Sequence, residues 1–152
     1  MAFMNKIVNP LVDLILQSRL HKLMSNTLLL ITYSGRKTGR EYRLPVQYAQ
    51  AGDAIYIIPG MPKEKTWWRN LKEAAPVQLT LRGQSVAGNA KVLKPDTNED
   101  AIIAGFDLYL RRFPALAKVN HIRLAGDGNF CAEELRLAAA QAVIIRVDIN
   151  HI

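Results

Sequence analysis

Between Leu28 and Leu93 the chain is cut into short strand-like runs, each halted by glycine or proline after fewer than ten residues. Leu28–Ser34 is apolar and rich in strand formers, Gly35-Arg36-Lys37-Thr38-Gly39-Arg40 interrupts it, and Glu41–Ala49 resumes. Strand, glycine-punctuated loop and strand spell a β-hairpin. Ala51-Gly52-Asp53 then turns the chain into Ala54–Ile58, which Pro59-Gly60-Met61-Pro62 ends. Val77–Leu81 alternates apolar and polar residues as a half-buried strand does, and Ser85–Leu93 returns after Arg82-Gly83-Gln84, with Gly88 a candidate bulge. Five strands in antiparallel order before any long second helix predict a barrel or strongly curled sheet, not a parallel α/β fold. Pro45 has no amide to donate, so it belongs at an edge or a bulge.

Helical patterns flank this block. Asn9-Pro10 is a cap followed by a first-turn proline, and Leu11, Val12, Leu14, Ile15, Leu16, Leu20, Leu23 and Met24 give an apolar face over about 10–24. That helix either packs on the sheet or lies on a membrane surface, aided by Phe3 and Lys6 ahead of it. Thr66 caps a short helix Trp67–Ala74, which Pro76 stops. A helix runs from about 97 to Arg112, Pro114 restarts one to Val119, residues 121–129 are irregular, and Ala132–Ala142 is helical. Val143–Ile149 is a last strand that closes the barrel. The expectation is an α+β, mainly β chain forming one domain over residues 1–152. It has an antiparallel barrel of about six strands (28–93 and 143–149), an N-terminal helix and a helical segment over 97–142.

A chain of 152 residues is long enough to bury a real core. Its formal charge is +7, and eight cations against three acids lie between Arg36 and Lys72. Such a field attracts an anionic small molecule, nucleic acid or an anionic membrane, and charge alone does not choose. The basic residues sit in loops instead of alternating with aromatics along strands, which argues against nucleic acid. Cys131 is the single cysteine, so no intrachain disulfide forms and a reducing cytoplasm is expected. His21, His121 and His151 have no ligand spacing, and no metal site is expected. No apolar run approaches the roughly 20 residues of a spanning helix, and the first six residues do not read as a signal peptide.

No self-sufficient catalytic motif is present: no nucleophile elbow, no zinc-protease helix, no Walker loop and no dinucleotide fingerprint. An enzyme of this kind leaves the bond-making to a cofactor. The 35–40 loop suits that role. Glycine at both ends permits positive φ, Arg36, Lys37 and Arg40 supply charge, and Thr38 adds a hydroxyl, a set fitted to phosphate or carboxylate. The same loop also reads as an ordinary solvated turn. Pro59–Leu71 is the second stretch. Its prolines stiffen a loop at a strand end, where backbone groups can face a flat ring. Trp67 and Trp68 point to different sides, so one is core while the other covers the barrel mouth or walls an aromatic cleft. Asn70 either anchors this loop or touches a ligand.

Thr32-Tyr33-Ser34-Gly35-Arg36-Lys37-Thr38-Gly39, then Pro45, Gly60-x-Pro62, Trp67-Trp68-x-Asn70-Leu71 and Pro76 resemble the deazaflavin-dependent nitroreductase family in order and spacing, over about Leu28 to Leu93. The resemblance implies a split β-barrel related to flavin-mononucleotide-binding proteins. It also implies coenzyme F420, a deazaflavin with a phosphate and an oligoglutamate tail. Arg36, Lys37, Thr38 and Gly39 then match the loop holding the anionic tail. Ile58, Gly60, Met61 and Pro62 match the strand end and turn beside the ring, and Lys63, Trp67 and Asn70 match the ligand-lining segment that follows. The family's arginine three residues before the proline is Tyr42 here, with Arg43 one place later, which flips the side chain to the other strand face. A polar double-glycine turn is replaced by Ile57-Ile58-Pro59-Gly60, which keeps flavin mononucleotide (FMN) open as an alternative cofactor.

The implied activity is hydride transfer from reduced deazaflavin to a quinone, enone or nitroaromatic acceptor, with Tyr109 or solvent as proton donor. The other readings are an FMN-binding split-barrel protein and a non-catalytic peripheral membrane or lipid-binding protein. The expected partners are a small-molecule electron acceptor and, as for many split barrels, a second copy of the chain. Membrane contact through the first helix would add a membrane-associated pool to the cytoplasmic one.

Overall fold

The computed structural model describes residues 27–150. Seven antiparallel strands form one sheet: β1 (Leu28–Ser34), β2 (Glu41–Gln47), β3 (Ala49–Ala51), β4 (Ala54–Ile57), β5 (Ala75–Leu81), β6 (Gln84–Val92) and β7 (Ile145–Ile149). Their order is β2-β1-β5-β6-β7-β4-β3. The two edge strands, β2 and β3, are thus separated in the chain by Tyr48 alone. A flat sheet cannot satisfy that connection, so the sheet curls until its first and last strands come together.

The count of seven against an expected six has its cause at the same place. The run Glu41–Ala49 divides at Tyr48, where the chain leaves one edge of the sheet and joins the other. The buried Tyr48 marks the corner, its N–H donating to the Thr27 carbonyl at 3.2 Å. Pro45 pairs with Leu30 on edge strand β2, as its missing amide requires. Gly88 is no bulge: it pairs in register with Val77 and with Ile149. A Cβ there would lie 2.8 Å from Val147 Cγ1 and 2.9 Å from the Asp148 carbonyl, so glycine serves close backbone packing. Pro76 lies within β5 opposite Asn89, while β1 pairs with β5 only over Thr80–Gln78, so no β1 bond is lost at the proline.

Trp67–Leu71 is a 3₁₀ turn, shorter and tighter than the expected α-helix to Ala74. Three α-helices follow: α1 (Pro95–Arg112), α2 (Ala115–Val119) and α3 (Ala132–Gln141). The expected helix over about 10–24 lies outside the described residues.

Strand β4 is buried on both faces and divides the core in two. Ile55 and Ile57 point into the barrel with Leu29, Ile31, Leu79 and Val147, and Trp67 and Leu71 close that cluster. Ala54 and Tyr56 point outward to a second cluster with Ile102, Phe106, Tyr109 and Ala139 of the helices. Gly105 makes this docking possible, since a Cβ there would lie 2.5 Å from Tyr56 Cδ1.

Candidate functional site

The hairpin tip is closed by its own backbone, Gly35 N–H donating to the Arg40 carbonyl at 2.7 Å and Gly39 N–H to the Gly35 carbonyl at 2.8 Å. Only Gly39 has positive φ, at 70°. Gly35 is needed for room instead, because a Cβ there would meet Tyr42 Cε2 at 2.9 Å. The expectation of two left-handed glycines is corrected to one.

The tip is fastened to the 3₁₀ turn. Arg36 N–H donates to Asn70 Oδ1 at 2.9 Å, Asn70 Nδ2 donates to the Trp67 carbonyl at 2.8 Å, and Arg36 Nη1 donates to the Arg69 carbonyl at 3.3 Å. Asn70 is therefore an anchor. A cavity of about 340 Å³ opens between tip and turn, lined by Arg36, Lys37, Thr38, Trp67, Arg69 and Asn70 among others. Among the described residues none of Arg36, Lys37 and Arg69 is paired with a carboxylate. The Arg69 Nε is buried with no hydrogen-bond partner, and its guanidinium lies 5.6 Å from the Trp68 ring centroid. An unpaired buried donor costs about 1–3 kcal/mol, more when charged. A donor held in that state beside two further cations suits an anion.

The proline turn faces a different space. Met61 takes φ 48° and its carbonyl accepts from Glu64 N–H at 3.0 Å and Lys65 N–H at 2.9 Å. Trp68 Nε1 donates to the Pro62 carbonyl at 3.0 Å, which ties this turn to the 3₁₀ turn. Ile58, Gly60, Met61 and Pro62 then line a cavity of about 750 Å³ whose other walls include Phe106, Tyr109, Leu116 and Leu137 of the helices and His121 beyond α2. Tyr109 is 1% exposed. Burial pushes its phenol up to about 12, and a hydrogen bond from the Ile58 backbone works in the opposite direction. The hydroxyl is thus neutral at ordinary pH and fixed at the turn. Burial, with the neighbouring Tyr42, also pushes Tyr33 up to about 12 in the tip cavity.

The single groove expected from the sequence is two cavities. Tyr42 lines one and Gln47 the other, five residues apart on β2, which at about 3.3 Å per residue is about 17 Å. Residues 62–70 run from one to the other. Of the residues proposed for cofactor contact, Arg36, Lys37, Thr38, Trp67 and Asn70 gather at the tip, and Ile58, Gly60, Met61 and Pro62 at the turn. Gly39, Arg43, Pro45 and Lys63 line neither cavity. Arg43 lies on the face of β2 opposite the core-packed Tyr42 and donates from Nε to Thr32 Oγ1 at 3.3 Å. Trp67 is core as well as cavity wall, and the aromatic wall at the proline turn is Phe106 and Tyr109 instead of a tryptophan. Arg69, the unspecified position between Trp68 and Asn70 of the motif, also lines the tip cavity. Thr66 and Arg69, three residues apart, line the same cavity, as side chains at i and i+3 of a 3₁₀ turn eclipse.

Residues 16–105 match the family model for F420H(2)-dependent quinone reductases. The chain belongs to that family. It is an F420H(2)-dependent oxidoreductase, and its cofactor is coenzyme F420. The resemblance drawn from the hairpin and tryptophan motifs led to the same cofactor. No curated protein matches the chain. Three solved structures share its fold. One, described as a domain-swapped dimer, is 16% identical with TM-score 0.54, covering 80% of each chain. An F420-H2 dependent reductase (FDR-A) is 16% identical with TM-score 0.53, over 82% of this chain and 94% of its own. HutZ, a heme storage protein from Vibrio cholerae, is 11% identical with TM-score 0.52, over 86% and 88%. The reductase's own donors fit its coenzyme: unpaired cations and an orphaned guanidinium N–H at the tip, and a stiffened backbone turn with a neutral phenol at the other cavity. No helix among the described residues is long and apolar enough to cross a membrane.

Proposed function

We propose that the reductase holds the coenzyme's anionic tail at the tip and its ring at the proline turn, and that the acceptor in the second cavity is a quinone. Arg36, Lys37 and Arg69 bind the tail, with Thr38 adding a hydroxyl, and Asn70 keeps tip and 3₁₀ turn in register. The carrying observation is the buried, unpartnered Arg69 Nε among cations that no carboxylate neutralises. A cationic tip cavity distinct from the cavity at the proline turn also favours F420, whose charge continues past the phosphate into glutamates, over FMN, whose charge ends there.

Coenzyme F420, when bound in reduced form, supplies a hydride. The turn Ile58–Pro62 orients the acceptor over the reacting face, and Phe106, Leu116 and Leu137 exclude water from it. Charge develops on a quinone oxygen as the hydride adds, and the neutral Tyr109 hydroxyl donates a hydrogen bond to that oxygen. One proton, relayed through Tyr109 from solvent, completes the hydroquinone. Enones and nitroaromatics fit the same scheme as secondary acceptors. A homodimer, supported by the fold neighbour described as a domain-swapped dimer, and a cytoplasmic location complete the proposal.

Anaerobic titration of the folded protein with purified F420, followed by turnover with a short naphthoquinone, tests the reading. Micromolar binding and quinone-dependent reoxidation of the reduced coenzyme are expected. A folded protein that binds no F420, or one that purifies yellow with a flavin spectrum, overturns it.

A further inference from the structure

We infer that Trp68 is a positioning residue for hydride transfer: its indole N–H holds the far end of the proline turn and so fixes the surface against which the coenzyme's ring lies. This rests on the reading that places the ring at that turn, and adds the group that keeps the turn in shape. Trp68 lines neither the tip cavity nor the turn cavity, so it acts through the backbone and not on either ligand. It belongs to the 3₁₀ turn, whose Trp67, Arg69 and Asn70 line the tip cavity, yet its own hydrogen bond runs the other way, to the proline turn.

The turn needs holding. Met61 takes φ 48°, a left-handed backbone that side chains rarely adopt and that persists only where the surroundings over-determine it. The Met61 carbonyl accepts from the Glu64 and Lys65 N–H groups, but those donors belong to the same loop and move with it. Ties to the rest of the fold lie at the two ends of the turn. At its start the Ile58 backbone is hydrogen-bonded to the buried Tyr109, and at its end the Pro62 carbonyl accepts from Trp68 Nε1 at 3.0 Å. An indole N–H only donates, and the peptide it bonds is planar, so this bond orients the whole Pro62–Lys63 peptide. The donor is itself held. The Arg69 guanidinium and the Lys72 ammonium each lie 5.6 Å from the Trp68 ring centroid, and the ring packs against the barrel core. The indole cannot swing away from Pro62 without giving up both cations. Trp68 and Pro62 are both half-buried, so water can reach the carbonyl when the indole is replaced. The bond therefore sets the shape of the turn more than the stability of the chain.

The test uses the intact protein and two variants that divide the side chain. Trp68→Phe keeps a ring and removes the donor. Trp68→Gln removes the ring and keeps an N–H as many bonds from Cα as the indole's. Each is measured for the single-turnover rate at which saturating naphthoquinone reoxidises bound reduced F420, for the Kd of F420, and for Tm. Trp68→Phe should slow the single turnover about tenfold with the Kd within about threefold. Trp68→Gln should recover most of that rate in spite of a lower Tm. A side chain that only packs gives the opposite order, with rate following Tm, and that order overturns the inference, as does a wild-type rate in Trp68→Phe. Hydrogen exchange of the ligand-free proteins is the second readout. The amides of Gly60, Met61 and Lys63 should exchange faster in Trp68→Phe and close to wild type in Trp68→Gln; equal exchange in all three proteins overturns the inference. If the wild type binds F420 but reduces no quinone, the quinone-reductase reading falls, and the exchange comparison still decides whether Trp68 holds the turn.

Discussion

Arg69→Met separates ligand binding from stability. In the ligand-free protein the guanidinium makes one ring contact, 5.6 Å from the Trp68 centroid, worth about 0.5–1 kcal/mol. Against it stands the buried, unpaired Nε, which costs about 1–3 kcal/mol. Methionine of similar reach removes both the donor and the charge, so the variant should lose nothing and gain up to about 2 kcal/mol. For a chain of this length that is a Tm unchanged or raised by up to about 6 °C. Binding should move the other way. A hydrogen bond to a charged group is worth about 1.5–3 kcal/mol, so Kd for F420 should rise by about 10- to 100-fold. The same deazaflavin without phosphate and glutamates never reaches the tip, and its Kd should be unchanged.

Fluorescence titration of both ligands, beside a melting curve without ligand, reads all three quantities. The wild-type preference for the tailed ligand should also shrink from low to high salt, as an exposed ion pairing does. Equal weakening of both ligands would mean that Arg69 supports the fold and not the tail. An unchanged Kd for F420 would place the tail elsewhere, and a falling Tm would show that Nε has a partner in solution.

Four other outcomes follow from the same geometry. Asn70→Ala removes the bond from the Arg36 N–H of the tip and the bond to the Trp67 carbonyl that braces it within the turn, costing about 1–3 kcal/mol, and hydrogen exchange at residues 35–40 should accelerate; unchanged exchange would refute the clasp. Gly105→Ala drives a methyl to 2.5 Å from Tyr56; overpacking of about 2–3 kcal/mol outweighs about 1 kcal/mol of helix propensity, so Tm should fall by about 2–8 °C, and a rise would be fatal to the docking described. Tyr109→Phe should lower kcat for quinone about tenfold while the Kd for F420 stays within about twofold; an unaltered kcat would assign proton delivery to solvent. Tyr33 and Tyr109 stay neutral to about 12 in the folded chain but ionise near 10 when unfolded. Their contribution, about 2–3 kcal/mol each, is therefore intact below pH 10 and lost between 10 and 12, which urea unfolding at pH 9, 10 and 11 should follow; a flat profile would contradict their burial.

Strand positions were legible because turns write themselves locally: Gly39, Gly52 and Gly83 have the positive φ that glycine makes easy, and Pro45 is on an edge as its missing amide demands. The corner at Tyr48 was not legible, since nothing in Gln47-Tyr48-Ala49 states that β2 and β3 belong to opposite sheet edges. That is a property of closure, which no window of neighbouring residues contains. Gly88 was misread for a related reason: its constraint is the backbone of β7, sixty residues away. At the site, the tip's cations were plain from composition, and Arg69 was missed because the period of the 67–71 turn decides which side chains share a face. The helical walls of the second cavity carry no motif at all. Phe106 and Tyr109 become site residues only because Gly105 lets α1 lie against Tyr56.

The fold divides its charge as it divides its cavities. The salt bridges among the described residues, Arg111–Asp107, Arg123–Glu134, Arg136–Glu133 and Arg146–Asp148, all lie in the helical segment or in β7 beside it. Among the described residues the hairpin tip, 35–40, and the 3₁₀ turn contribute none. Basic residues that balance locally give little long-range field, whereas unpaired ones concentrated within a few ångströms of each other focus it. At physiological salt such a field fades over about 8 Å, about half the extended span of β2 from Tyr42 at the tip cavity to Gln47 at the other. The tip therefore attracts anion without imposing its potential on the acceptor, and an uncharged quinone can occupy an apolar cavity on a chain of net charge +7. A barrel whose edges meet at one corner keeps the two environments on one molecule and apart.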